Sequence, residues 1–372
     1  MLITIQVSSF LDALGTVKRV VPNAVDALLT ATKGKVYVTA AVDSACKVLV
    51  HNSDVEEDGE APINIADISG VVKGRNIIKF RLVTDKEHSV LKFSDSKKYS
   101  GSLNLPTSID IETSRPKTGM VLELDTNLSE FNSIVESVSL TGSFSNTPDL
   151  PVYISMGPEG TTAICYDSYY LCKVNNTNAV YEEPKLFAVD LRILDTVVST
   201  MEKEPYTMVI TDATLYAYNK FIYSRFPITQ VEAIDTTLAT ITEYTENWRT
   251  KKNKVKLTIS VERLREVLTN ISYLYTNGNP VLLEVLSDKV IQVGITANSG
   301  AVKEKISVIS SKNIPDTKFT VKCEYSLLNE LIAKIKVKEV TISILPDNTV
   351  VLIESEERDG VSLLMSAATV GE

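Results

Sequence analysis

The last third of the chain, residues 256–370, shows one structural plan twice. An alternating apolar run, KLTISV, is followed by a helical pattern and three strand-like runs, and FTVKCE then opens the same order again. In the first helical pattern, apolar residues recur at spacings of three and four from Val261 to Leu274, which predicts one buried face. The strand runs are rich in Val, Ile and Thr and end at turn signals such as Pro346-Asp347-Asn348. The sequence therefore predicts a duplicated strand–helix–strand–strand–strand unit.

The same plan occurs in the two preceding thirds of the chain. Within the three copies, the two helical patterns begin 56, 63 and 64 residues apart. An ordinary α+β protein, in which common alternation imitates a repeat, is the other interpretation. We predict an α+β fold with domains at 1–106, 119–234 and 254–372, joined by connections at 107–118 and 235–253. The predicted helices begin near Ser8, Asn64, Asn127, Asp190, Ser260 and Glu324. The acidic stretch Asp54–Glu60 is predicted to be a solvated loop.

Composition excludes several classes of protein. Of the 372 residues, 44% are apolar, which is enough for packed cores. No apolar run reaches the ~18 residues of a membrane-spanning helix. The N-terminus has no basic stretch and meets Asp12 early, so we expect no signal peptide. Four scattered cysteines and two histidines indicate reduced, intracellular thiols rather than a zinc site.

Candidate catalytic residues are scarce. With two histidines far apart in the sequence, a Ser-His-Asp or Cys-His site has little material. Neither GxxxxGK[ST] nor GxGxxG occurs, so no motif supports nucleotide binding. We therefore expect no enzyme, no catalytic residue, no cofactor and no metal.

The order of elements resembles that of the bacterial-type DNA sliding clamp, the β subunit of replicative polymerase III. The resemblance is carried by an opening strand, the helix FLDALGTVKRVVPN, strands around KVYVTAAVDSACKVLV, and the closing strand KKYSGSLNLP, which the middle domain repeats as YSRFPI. It spans essentially the whole chain and depends on architecture more than on identities. It implies a three-domain clamp fold in which each domain is a doubled βαβββ unit, with two helices inside and antiparallel sheets outside.

The resemblance also implies a function. Two chains would close head to tail into a ring that encircles duplex DNA without reading its sequence and tethers the polymerase. The divergence from bacterial motifs points to a remote or phage-encoded clamp in the cytoplasm of a bacterial or phage-infected cell. The alternative is a β-rich structural protein, for example a virion component, that does not encircle DNA. The implied dimer interface comprises Tyr99, Leu103 and Leu105 of one chain and Tyr273 and Leu274 of the other.

Charge distribution bears on the expected DNA contact. The net charge is −9, yet the six helical segments hold 11 of the 38 basic and 12 of the 47 acidic residues, so they are near neutral. The first helix of the middle domain has no basic residue. A solvated helix face is the alternative role for each cation. The candidate DNA-facing residues are Lys18, Arg19, Lys73, Arg75, Arg192, Arg263, Arg265, Lys334, Lys336 and Lys338.

The resemblance further implies an apolar cleft that receives short peptide motifs from the DNA polymerase and the clamp loader. The usual Asp-Gly-His-Arg-Leu turn is here Asp-Ser-Tyr-Tyr-Leu, and the usual Met-Pro-Met ending is Met365-Ser366-Ala367. These departures predict a peptide motif different from the bacterial one. The alternative is that the same residues are ordinary core or surface positions of strands. The candidate cleft residues are Tyr166, Tyr169, Tyr170, Leu171, Leu363, Leu364 and Met365.

Overall fold

The fold is described from a computed structural model of the chain. The structure describes residues 1–366, apart from 85–88, 96–98, 107–110, 112, 126, 145–149, 168–169, 202–203, 230–233, 251–253, 276–278, 316–318, 336, 345–349 and 355–360.

All six predicted helices are present, and a seventh lies among them. A single 3₁₀ turn, Ser272–Leu274, follows the sixth. The α-helices of the described residues are α1 (Val7–Val20), α2 (Ile65–Val72), α3 (Leu128–Phe144), α4 (Leu191–Met201), α5 (Ile234–Thr250), α6 (Val261–Ile271) and α7 (Tyr325–Lys334).

The strands are short and mostly alternate between buried and exposed positions, as expected where one sheet face covers a core. In chain order they are β1 (Leu2–Gln6), β2 (Asp26–Thr32), β3 (Lys35–Ala41), β4 (Ala45–Val50), β5 (Ser53–Glu57), β6 (Gly59–Asn64), β7 (Ile77–Thr84), β8 (Ser89–Ser94), β9 (Ser100–Asn104), β10 (Met120–Leu124), β11 (Pro151–Gly157), β12 (Gly160–Tyr166), β13 (Tyr170–Asn176), β14 (Lys185–Asp190), β15 (Tyr206–Ile210), β16 (Thr214–Tyr218), β17 (Ile222–Pro227), β18 (Val255–Ser260), β19 (Val281–Val285), β20 (Val290–Ala297), β21 (Gly300–Lys312), β22 (Phe319–Cys323), β23 (Glu339–Ile344), β24 (Val350–Glu354) and β25 (Val361–Ser366).

The chain forms two compact units. The first comprises 1–126 and 196–230, and the second 127–195 and 231–372. In the first unit, one sheet has the order β5-β1-β7-β8-β9 and the other β10-β15-β16-β17-β4-β3-β2-β6. The second unit holds a sheet of twelve strands in the order β14-β11-β12-β13-β25-β24-β23-β18-β21-β20-β19-β22. The three-domain division stays a prediction.

Side chains cap the first turns of two helices. The side chain of Asn64 accepts hydrogen bonds from the backbone N–H groups of Ala66 and Asp67, at 3.0 and 3.1 Å. Ser260 accepts one from the N–H of Arg263 at 3.2 Å. Both side chains satisfy N–H groups that have no partner inside the helix. Helices α2 and α6 therefore begin within one residue of the starts predicted near Asn64 and Ser260.

The core lies between the helices and one face of the sheets. Helix α1 packs mainly on β4, and also on β3 and β1. Its Phe10 ring lies 6.1 Å from that of Phe80 in β7, and both are fully buried. In α3, Phe131 and Ile134 are likewise buried in the core. The apolar residues that recur at spacings of three and four in the sequence therefore form the buried face of each helix.

Two sequence predictions were wrong in detail. The sequence predicts 235–253 only as a connection, but most of it forms α5, where Ile234, Leu238 and Ile241 share one face and Ile241 is buried. The acidic stretch, predicted as a loop, forms most of β5 and the start of β6, and Asp54 pairs with Thr4 of β1. Acidic side chains tolerate this position because β5 is an edge strand, where charge discourages further pairing.

Candidate functional site

The two predicted walls of the peptide cleft meet in one sheet of the second unit. Strand β13 pairs antiparallel with β25, so that Leu171 lies opposite Leu364 and Tyr170 opposite Met365. Tyr169 lies outside the described residues, as do the side chains of Tyr170 and of the β25 residues Leu363, Leu364 and Met365. The backbone therefore brings the predicted strand and the predicted tail segment side by side.

Helix α5 covers the cleft residues whose side chains are described. Leu171 is buried in a cluster with Ile164 and with Ile241 of α5, and Tyr166 and Leu238 pack against the same cluster. The opposite face of this sheet packs on α3, where the thiol of Cys172 lies 3.5 Å from the carbonyl oxygen of Ser137. The sheet is therefore covered on both faces at β12 and β13. A signal for α5 was present in the sequence, as the 4 and 3 spacing of its apolar residues.

Tyr153 gives this covered face a polar group. Its ring stacks on that of Tyr166 with centroids 5.9 Å apart. Burial, followed by the hydrogen bond with Tyr166, raises the pKa of Tyr153 to about 12, while a hydrogen bond with Thr237 of α5 acts in the opposite direction. The phenol therefore stays neutral at physiological pH, and its hydrogen bonds orient α5 on the sheet.

The candidate cations of the first unit fall into two groups. Lys18 and Lys73 are exposed at the C-terminal ends of α1 and α2 and form no ion pair with a described residue. Arg19 donates a hydrogen bond of 2.9 Å to the carbonyl oxygen of Ser199 in α4. Arg75 lies 3.9 Å from the ring centroid of Tyr99 and 3.5 Å from a carboxylate oxygen of Asp95. The two arginines thus have structural contacts, whereas the two lysines face solvent.

The cations of the last third show the same division. Arg263 is bonded to Glu266 at 2.6 Å and to Glu304 at 2.9 Å, and Glu266 is the main cause of its raised pKa. Arg265 donates to the carbonyl oxygens of Ile332 and Ile335 at 2.9 and 3.3 Å. These carbonyl groups lie at the C-terminal end of α7, where the last carbonyl groups have no hydrogen-bond donor within the helix. Arg263 is therefore neutralised locally, and Arg265 caps a neighbouring helix.

The remaining candidates are less fully described. Lys338 and Arg192 are exposed, and Arg192 has a further contact within the protein. Lys336 lies outside the described residues, as does the side chain of Lys334 at the end of α7.

A matched pair of substitutions separates capping from surface charge. We expect Arg265→Gln to lower the free energy of unfolding by about 1–2 kcal/mol, because it removes charge-assisted bonds to carbonyl groups. Arg263→Gln, with the same change of charge two residues earlier, should cost less, because Glu266 and Glu304 regain water when their ion pairs with Arg263 are lost. Chemical denaturation of both variants checks this. Equal losses would show that Arg265 does not stabilise the end of α7.

The predicted interface residues lie at two separate places. Tyr99 packs on Phe93 with ring centroids 5.4 Å apart and donates to the carbonyl oxygen of Val71. Leu103, in β9, and Leu105, just after it, are half-buried. The 3₁₀ turn that holds Tyr273 and Leu274 contacts β20 and β21. Tyr273 is 71% exposed, which is unusual for a large aromatic side chain and marks a surface available for contact.

The described residues contain no group of three or more His, Cys, Asp or Glu side chains that could hold a metal ion. None of the helices described there is long and apolar enough to cross a membrane.

The four cysteines, Cys46, Cys165, Cys172 and Cys323, are buried and form no disulfide. Burial raises the pKa of the Cys46 thiol, and that of Cys323 to about 12. Since the thiolate is the reactive form, we expect no thiol to react with Ellman's reagent at pH 8 until the protein unfolds. An absorbance change that corresponds to one reacted thiol per native chain within minutes would contradict this burial.

Comparison with known proteins identifies the fold. No protein-family model and no curated protein matches the chain. The DNA polymerase sliding clamp from Bacillus subtilis superposes with a TM-score of 0.80 at 14% identity, covering 100% of both chains. The DNA polymerase III β subunits from Pseudomonas aeruginosa and Thermotoga maritima both give 0.76, at 13% and 14% identity, again over 100% of both chains. The chain therefore has the clamp fold along its whole length, as the resemblance in sequence implied.

Proposed function

We propose that this protein is a DNA sliding clamp, a processivity factor without catalytic activity that encircles duplex DNA and tethers a DNA polymerase. The observation that carries the proposal is the full-length match to sliding clamps at a TM-score of 0.80. A structural protein of the virion type would have no reason to keep every element of this fold in order. The match therefore favours the clamp over that alternative.

The sheet order supports closure by a second copy of the chain. In the clamp division the last strand of each domain is β9, β17 or β25. Strand β17 pairs with β4 of the preceding domain, and β25 pairs with β13 of the preceding domain. Among the described strands β9 pairs with β8 alone, and the first half of β21, which is equivalent to β4 and β13, pairs with β20 alone. The missing seam is thus β9 of one copy against β21 of another.

The register of this seam follows from the other two. In the first, Ser224 lies opposite Cys46, and in the second, Leu363 lies opposite Cys172. The equivalent residue of β9 is Gly101, which lies opposite Phe93 as Ser224 lies opposite Ala217 and Leu363 opposite Ile353. The equivalent residue of β21 is Val302, which lies opposite Ile295 as Cys46 lies opposite Ala40 and Cys172 opposite Cys165.

Gly101 of one subunit should therefore face the partner subunit's Val302, and Ser102 the partner subunit's Ala301. This interface agrees with the residues proposed from the sequence. Tyr99, Leu103 and Leu105 lie on or beside β9, and Tyr273 and Leu274 lie on the turn beside β21. Edge strands with unpaired backbone groups favour such pairing. Two equal seams per pair of chains close a ring, which we propose is a homodimer of three-domain chains.

The proposed DNA contact is electrostatic and independent of sequence. Of the ten candidate cations, Lys18, Lys73 and Lys338 are exposed without an ion pair to a described residue. They can therefore contact phosphates without first breaking such a pair. Arg263 and Arg265 would first have to leave their protein partners. With few phosphate contacts, binding to linear duplex should be weak and sensitive to salt. Retention would then depend on encirclement.

Partner binding is proposed at the junction of β13 and β25. Short peptides of the polymerase and the clamp loader would use a few buried anchors rather than a large area. Because α5 packs on Tyr166 and Leu171, it would form one wall of the site. The proposed setting is the cytoplasm of a bacterial or phage-infected cell.

Size-exclusion chromatography with light scattering tests the proposal. At micromolar concentration the mass should be twice that of the chain. A monomer that never forms a ring on DNA would contradict the proposal. A trimer would be consistent with a sliding clamp but would contradict a ring of two chains.

A further inference from the structure

The outward face of the five-stranded sheet carries a basic concavity of about 550 Å³. On β7, Ile78 and Phe80 are buried toward the helices, so Lys79 and Arg81 point to the opposite face. The concavity is lined by these two cations, by Lys92, and by the hydroxyls of Ser94, Ser100 and Ser102. It is separate from the proposed DNA-facing helices and from the proposed peptide cleft.

Positive charge in this concavity is not balanced within the described part of the chain. Arg81 lies directly opposite Lys92 in the antiparallel register of β7 and β8. Like charges at such positions destabilise a sheet. Lys79 is paired with Glu56 at 2.5 Å, but no described carboxylate bonds to Arg81 or Lys92. In a protein with a net charge of −9, this local excess of positive charge favours an anionic ligand.

The serine hydroxyls add hydrogen-bond donors beside the cations. Ser102 lies opposite Lys92, and Ser100 lies opposite Ser94. Gly101 stands between the two serines of β9 and leaves room for the ring of Phe93, which a Cβ atom there would meet at 2.4 Å. Guanidinium, ammonium and hydroxyl groups together form the donor set that binds carboxylates, with arginine able to bind both oxygens.

The surroundings limit the length of the ligand. Strand β5 borders the sheet with three carboxylates, of which Asp54 and Glu57 lie opposite Thr4 and Leu2 of β1 and Glu56 is paired with Lys79. A long polyanion such as a nucleic acid would have to pass this acidic edge and would be repelled. Among the described residues that line the concavity, the one aromatic ring, Phe93, is buried and packs on Tyr99, so it offers no stacking surface for a base.

We propose that this concavity, the basic pocket of β7–β9, binds a short acidic peptide segment of a partner protein. All its lining residues belong to one chain, with the cations on β7 and β8, and peptide binding does not require the proposed clamp function. Strand β9, which adds Ser100 and Ser102, is also the edge of the proposed subunit seam. It offers partner proteins a second binding site, which is basic and polar where the proposed peptide cleft is apolar.

Fluorescence anisotropy with a labelled hexaglutamate peptide at low salt tests the proposal on the full chain. Arg81→Gln/Lys92→Gln should weaken binding at least about tenfold, because charge-assisted bonds are lost. The control Lys35→Gln/Lys289→Gln removes the same charge from exposed positions elsewhere and should change affinity less than about twofold.

A second variant and two other probes complete the test. Ser102→Glu places a carboxylate opposite Lys92 and should block the peptide as strongly as the double variant. Hexaglutamine should not bind, and binding should weaken as salt is raised. Equal losses in both double variants would overturn the site, and binding of a six-nucleotide oligothymidine as tight as that of hexaglutamate would overturn the ligand class.

Discussion

Oxidation of the Ser102→Cys/Ala301→Cys variant will join two copies of the chain into a covalent dimer. In the proposed seam these residues lie opposite each other, by analogy with Arg225 opposite Ala45. Opposed residues of an antiparallel pair have Cα atoms about 4.5–5.5 Å apart, within the range of about 4.4–6.8 Å that a disulfide requires. Both positions are exposed, and the four native thiols are buried, so competing disulfides should be few.

The pattern of products distinguishes a closed pair from an open chain. Two seams per pair should give a dimer as the main product on a non-reducing gel, whereas non-closing contacts would give a ladder of larger species. The control Ser102→Cys/Lys305→Cys moves one cysteine four residues along β21, roughly 13 Å away, and should remain monomeric on the gel. Efficient cross-linking of the control, or none of the test variant, would refute the register.

Phe10→Ala is expected to destabilise the first unit by about 3–5 kcal/mol. Phe10 is fully buried in α1 and packs on Phe80, so the substitution leaves a cavity that the sheet cannot fill. Calorimetry or urea denaturation measures the loss. The control Ser8→Ala, on the exposed face of the same helix, should stay within about 0.5 kcal/mol. A loss below about 1 kcal/mol for Phe10→Ala would contradict the assigned core face.

Much of the fold was predictable because periodicity reports burial directly. The apolar spacing in α1, α6 and α7 identified those elements from single segments. Repetition of the plan then indicated the architecture. Helix α5 was missed because Thr and charged residues dilute its apolar face, and its stabilising contacts with Ile164 and Leu171 come from distant parts of the chain.

The candidate site was less predictable, since the role of a charged side chain depends on its partners in space. Arg263 and Arg265 lie two residues apart on α6, yet one binds carboxylates and the other caps α7. Nothing in their local sequence separates these roles. Similarly, Arg81 and Lys92 become neighbours through the pairing of β7 with β8, which composition alone does not reveal.

Retention of the cross-linked protein on DNA tests the central claim most directly. The Ser102→Cys/Ala301→Cys protein would be incubated with nicked circular plasmid, oxidised, and passed over a sizing column in about 1 M salt, which screens phosphate contacts. If the chain encircles DNA, the oxidised dimer will elute with the circular plasmid and be released once a single cut linearises it. Loss of the dimer from circular DNA, or equal retention on linear DNA, would contradict encirclement.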